Sequence, residues 1–224
     1  MPKAAIVLVS YKLPPARLMD WLRWNLMELA GCVPVYVVTD PTTDVATVCS
    51  RPPWWRFLIY PGKMPVFSLA KTANFGIRRA LEDGCETILK CDPDIIFDGA
   101  LETMLTTPAA GRYVVAKFHN VRSYAERQRP YRDEMATDGC ISMTAHAWQA
   151  IQGYDERMYG WGFEDTEVCQ RAKESGMQQT NAWVLHVDHP PWGRASGFNP
   201  NRNDANFNMP PRIIGSQPDW GKGL

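Results

Sequence analysis

Long apolar runs are missing from this chain. None approaches the roughly 18 residues that a membrane-spanning helix needs. The first apolar stretch, "AAIVLVS" (4–10), is too short for a signal peptide and leads straight into patterned structure. With neither signal peptide nor membrane anchor in view, a cytoplasmic location is expected, in a bacterium or a virus-infected host cell. Net charge is missing too. The 24 basic and 24 acidic side chains cancel, which argues against a general polyanion binder held by bulk charge. The six cysteines (Cys32, Cys49, Cys85, Cys91, Cys140 and Cys169) form no CxxC pair and no regular spacing. They read as free thiols in a reducing compartment rather than a disulfide framework. There are no internal repeats. "VSYKLPPAR" (9–17) holds no glycine. That disfavours a sugar-nucleotide pyrophosphorylase or other nucleotidyltransferase, which would present a glycine-rich phosphate loop after the first strand.

What is there is an alternation of strand and helix signals. Strands are expected at 4–10, 33–40, 55–60 and 86–94. An amphipathic helix is expected at 16–31 and a second helix at 68–84, each stopped by glycine. This order predicts an α/β domain with a mainly parallel central sheet flanked by helices. Ligands on such sheets bind beyond the carboxyl ends of the strands. Ser10 to Lys12, Asp40, and Asp92 with Asp94 fall there. The second half is less regular, with strands expected at 112–120, 139–144 and 181–189 and helices at 145–152 and 164–176. From Pro190 the composition shifts to Pro, Gly and Asn. That tail, 190–224, has little from which to build a core.

Two patterns carry chemistry. "CDPDIIF" (91–97) sets Asp92 and Asp94 two apart at a strand end, where extended backbone would point both carboxylates at one cation. Hard oxygen ligands of this kind suit Mg²⁺ or Mn²⁺ bound with substrate phosphates. An Asp-Pro-Asp turn in solvent accounts for the same residues. "HVDH" (186–189) places two of the chain's four histidines, His186 and His189, at another strand end. Imidazole beside carboxylate shifts the expected ion from Mg²⁺ toward Mn²⁺. A third stretch, "GWGFEDTE" (160–167), runs two glycines and two large aromatics into three acids at a helix start. Acids there stabilise a helix N-terminus by about 0.3–1 kcal/mol each. That effect accounts for the acids but not for the Gly-Trp-Gly before them.

The order of these motifs resembles nucleotide-sugar-dependent glycosyltransferases of the GT-A fold, most closely the β-1,4-galactosyltransferase type. "FSLAKTANFGIRRAL" (67–81) matches the family helix through Phe67, Ala70, Lys71, Asn74 and Gly76. "KCDPDIIF" matches its DxD strand end. "GCISMTAHAWQAIQGYDERMYGWGFED" (139–165) matches the most specific block, and "HVDH" falls where the family has metal ligands three apart. Leu69 stands where the family has an arginine, and no stretch here reads as the stem or membrane anchor expected of Golgi relatives. The resemblance implies one catalytic domain over 1–189, with a donor nucleotide half at 1–98 and an acceptor half at 99–189.

The resemblance also implies the roles. The chain is expected to be a UDP-sugar-dependent hexosyltransferase using Mn²⁺, with Mg²⁺ as the alternative. Asp94, His186 and His189 would bind the metal. Tyr11, Lys12, Asp40, Lys71 and Asp92 would bind the donor. Trp161, Gly162 and Glu164 would bind the acceptor, and Asp165 would be the general base of an inverting transfer. Retaining GT-A transferases share a similar W-G-x-E block, so a retaining enzyme and a non-catalytic nucleotide-sugar binding module stand as alternatives. Residues 112–132 carry six basic side chains against Glu126 alone, interleaved with Tyr124 and Tyr131. Read as a rim beside the active site rather than a solvated face, they suit an anionic acceptor. The acceptor is therefore expected to be a saccharide hydroxyl or a hydroxymethylated pyrimidine in DNA.

Overall fold

Alternation along β1 (Ala4–Val9) sets the layering of the molecule. Ala5, Val7 and Val9 join one buried cluster, and Ile6 and Leu8 the other, so the strand is covered on both faces. The computed structural model describes residues 3–10, 15–29, 33–39, 53–62, 68–108, 111–134, 139–160, 162–188, 206, 209–210, 212 and 216–223. After β1 come α1 (Pro15–Leu29), β2 (Val35–Thr39), β3 (Trp55–Ile59), α2 (Leu69–Glu82), β4 (Thr87–Cys91), β5 (Ile95–Ile96) and α3 (Leu101–Thr106). The chain continues through β6 (Arg112–Val121), a 3-10 turn at Tyr124–Glu126, β7 (Arg132–Glu134), β8 (Cys140–Thr144), α4 (Ala145–Ile151), α5 (Glu164–Glu174) and β9 (Gln178–Val187).

Among the described residues these strands form one sheet in the order β3-β2-β1-β4-β8-β6-β9-β5, with β7 added on β6. The first four strands pair in parallel, and β6 pairs in parallel with β9. β8 runs antiparallel between β4 and β6, with Cys91 opposite Cys140. The α/β class with helices on both faces is as expected. α2, α4 and α5 cover one face through Ala73, Ile77, Trp148, Ile151 and Val168. α1 and α3 cover the other through Leu18, Trp21, Leu101 and Met104. Gly76 lets α2 lie close to the sheet, because a Cβ there would stand 2.5 Å from a Val7 methyl and 2.7 Å from a Val38 methyl.

Some boundaries differ from the sequence pattern for local reasons. β9 begins at Gln178 rather than 181, because a ten-residue parallel register with β6 recruits the polar run Gln178–Asn181. β5, β7 and α3 are too short to leave a periodic signal. The described part of the tail contributes to the core. Trp220 is buried with the α2 cluster, and the buried Arg212 guanidinium donates to the carbonyls of Tyr154 and Gln152. Burial pushes the Arg212 pKa down to about 10, with the nearby Arg171 charge adding to the effect. No helix among the described residues is long and apolar enough to cross a membrane.

Candidate functional site

The carboxyl end of β4 meets the start of β8, and this junction gathers the first group of polar side chains. Lys90 is fully buried in an otherwise apolar strand. Its Nζ lies 2.9 Å from Asp92 Oδ1 and 3.5 Å from Asp165 Oδ2. The contact is an ion pair in distance, although its angles are not those of a hydrogen bond. Burial raises the Asp92 carboxyl above the usual range even though Lys90 pulls it down. The Asp92 amide donates to the Gly139 carbonyl at 2.9 Å. Gly139 has φ of +84° and faces Asp92 so closely that a Cβ would sit 2.6 Å from Oδ2. Only glycine meets both demands without strain.

Asp165 stands at the head of α5, held by two hydrogen-bond donors and one cation. Tyr154 Oη donates to Oδ1 at 2.7 Å, the Gly139 amide donates to Oδ2 at 3.0 Å, and the Lys90 ammonium lies beyond. A carboxylate has about four acceptor sites, and the two hydrogen bonds leave acceptor capacity over. Glu164 beside it is 5% exposed, and its Oε2 has no hydrogen-bond partner among the described residues. Burial, with the Asp165 charge, raises the Glu164 pKa to about 8, so its carboxyl keeps a proton near neutrality. The turn that delivers the two acids uses left-handed backbone at Gly160 (φ 72°), Gly162 (φ 116°) and Phe163 (φ 71°). The glycines adopt it freely, and Phe163 pays in strain at the helix N-cap. Glu167, the third acid, has a structural partner: its Oε2 accepts from the buried Arg171 guanidinium at 2.7 Å.

Asp94 reaches toward β9, and its charge still bears on Asp92. The chain turns at residues 92–94 instead of continuing as a strand. The short β5 pairs Ile95 with His186 and so brings Asp94 Oδ2 to 3.6 Å from His186 Nε2. His186 Nδ1 contacts Asn120 Oδ1 at 2.7 Å. With Nδ1 as the donor in that contact, a neutral imidazole presents Nε2 as the coordinating nitrogen. A carboxylate oxygen and an imidazole nitrogen at this separation fit a divalent ion of the Mn²⁺ kind. Among the described residues no group of three or more His, Cys, Asp or Glu side chains forms a metal cluster. His189, the expected third ligand, lies outside the described residues, as do Tyr11, Lys12, Asp40 and Trp161.

α2 connects the two halves of the candidate site. Its N-cap Ser68 accepts from the Lys71 amide and donates to the Met158 carbonyl at 2.8 Å, and the Leu69 amide donates to the Gly160 carbonyl. Lys71 thus stands in the first turn beside the Gly160 turn. One helical turn on, Asn74 grips the loop before it, accepting from the Tyr154 amide at 2.7 Å and donating to the Tyr154 carbonyl at 2.9 Å. Sequence reasoning missed Lys90, Tyr154 and Asn120. Lys90 was detectable as a lone charge in the apolar run "TILKC". Tyr154 and Asn120 carry no local signal, because their partners are distant in the chain.

Two GT-A enzymes superpose on most of the chain. A Drosophila β-1,4-galactosyltransferase 7 mutant, in complex with manganese, UDP-Gal and xylobiose, matches with a TM-score of 0.62 at 15% identity, over 93% of this chain and 80% of that one. Glucosyl-3-phosphoglycerate synthase from Mycobacterium tuberculosis, in complex with Mn²⁺, UDP-glucose and phosphoglyceric acid, matches with a TM-score of 0.54 at 14% identity, over 84% and 73%. The fold is GT-A. The expected resemblance within this GT-A fold is also borne out. A family model described as the N-terminal domain of galactosyltransferase matches residues 116–189. β-1,4-Galactosyltransferase 3 from Cricetulus griseus is 24% identical over 123 residues, covering 54% of this chain and 30% of that protein. The chain thus spans less than a third of the length of this curated relative.

Proposed function

We propose that the chain is a metal-dependent glycosyltransferase that moves a sugar from a UDP-sugar to an acceptor hydroxyl with inversion. The observation that carries this reading is Asp165, a buried side chain oriented by Tyr154 and Gly139 with acceptor capacity to spare, on the same sheet end as Asp94 and His186. Asp165 takes the proton as the acceptor oxygen bonds to the anomeric carbon, and the bond from that carbon to the UDP oxygen breaks on the opposite side. Glu164, holding its proton, donates to an acceptor hydroxyl oxygen. Trp161 and Gly162 line the acceptor side. Asp92 meets the donor ribose, Lys71 the diphosphate, and Tyr11, Lys12 and Asp40 the nucleotide. Asp94, His186 and His189 would hold Mn²⁺, which would supply positive charge against the departing diphosphate. The manganese and UDP-sugar complexes of the superposed enzymes support the donor and cofactor assignments.

The acceptor is a saccharide hydroxyl on the strength of the xylobiose complex. The segment after β6 favours a second, anionic acceptor. Arg127 lies 4.5 Å above the Tyr124 ring and Arg122 5.5 Å above Tyr131, next to the strand that carries Asn120. Hydroxymethylcytosine DNA is the second acceptor to assay, with neutral saccharides beside it.

Thermal unfolding with UDP-galactose, UDP-glucose and GDP-mannose, each with Mn²⁺ or EDTA, tests the reading. A donor at 100 times its dissociation constant adds about 2.7 kcal/mol, and EDTA abolishes the shift. Asp165→Asn keeps that shift and lowers transfer by about 10²–10⁴-fold. Absence of any donor shift in wild-type protein sinks the proposal.

A further inference from the structure

Lys90 has no part in the chemistry so far, yet its placement is costly. Removing an ammonium from water costs several kcal/mol even after relaxation. A leucine or methionine would fill the same slot in β4 without that penalty. Four groups face the ammonium: Asp92 from the end of its own strand, Glu164 and Asp165 from α5, and the Tyr154 ring at 6.0 Å from the loop before it. Tyr154 and the Gly139 amide orient Asp165 by hydrogen bonds, but neither brings a charge. The Asp92 and Asp165 carboxylates belong to separate elements, and Lys90 reaches both.

We propose that Lys90 is a positioning residue, whose buried ammonium holds Asp165 as an oriented carboxylate and ties it to Asp92 at the donor end. This rests on the reading of Asp165 as the base. At 3.5 Å the ammonium attracts Asp165 Oδ2, and burial keeps that attraction from being screened. The same contact sets the distance between base and donor, to which rate is sensitive at the level of 1 Å. The cation does not compete for the acceptor, because it approaches Asp165 from inside the sheet.

The test compares Lys90→Met and Lys90→Gln with wild-type protein, using UDP-galactose and UDP-glucose with Mn²⁺, and xylobiose or hydroxymethylcytosine DNA as acceptor. In a folded variant, kcat falls by about 100-fold while donor KM stays within about threefold. A folded variant with unchanged kcat overturns the role of Lys90 and leaves that of Asp165 standing. A wild-type protein without donor shift or transfer overturns both. Where Lys90→Met does not fold, Lys90→Met combined with Asp165→Asn decides. Recovery of folding in the double variant supports the charge pairing. Equal failure of both means that the slot needs the amine whatever stands at 165, and the proposal falls.

Discussion

Glu164 shows how one buried group shapes the pH response of the protein. Its carboxyl is raised from 4.5 to about 8, chiefly by burial and then by Asp165. The native state therefore keeps a proton that the unfolded chain releases. The stability tied to this proton is full below pH 4.5 and is lost as pH rises through about 8. Glu164→Gln removes the dependence, so the variant gains stability relative to wild type across that window. Urea unfolding at several pH values would reveal it, and parallel curves for the two proteins would refute the assignment. Gly139 is the second sensitive position. Gly139→Ala forces a Cβ against Asp92 in a left-handed backbone, at a cost of about 1–3 kcal/mol and with displacement of both carboxylates. Loss of transfer greater than loss of stability, measured on one preparation, is the expected outcome. These acids were visible in the sequence as a strand-end pair and a helix-start pair. Which of them pairs with Lys90 and which with His186 was not, because His186 comes from the distant β9.

Among the elements, α2 bears the tightest constraints. Gly76 sets its distance from β1 and β2, and Asn74 ties it to the loop that carries Tyr154. Asn74→Ala leaves the buried Tyr154 amide without this acceptor, which costs about 1–3 kcal/mol. Because Tyr154 orients Asp165, the same substitution lowers kcat while donor binding persists. A drop in stability with kcat unchanged would separate α2 from the candidate site. The helix was readable from its apolar period and glycine stop. Its function as a clamp was not, since the partners lie about 80 positions away in sequence.

At the scale of the whole molecule, the C-terminal tail stabilises the face of the sheet that bears the acids. Trp220 packs over Gly153, where a Cβ would stand 2.7 Å from its ring, and Arg78 donates to its carbonyl. Asn206 donates to the Tyr159 and Gly162 carbonyls on either side of the Gly160 turn. Trp220→Ala removes a large buried ring and costs about 3–5 kcal/mol. A midpoint of chemical denaturation close to wild type would show that the tail is dispensable.

Sequence by itself determined the α/β order, the strand ends where the acids cluster, and the likeness to galactosyltransferases. Each of these depends on residues near one another in the chain, where apolar period and turn chemistry act. Tertiary structure alone decided that β8 enters antiparallel beside β4, so that Gly139 meets Asp92 and α5 sets Asp165 above them. It alone placed Lys90 between two carboxylates and returned Trp220 to the core. Such contacts join residues far apart in sequence, and their energies come from burial and pairing that no local window contains.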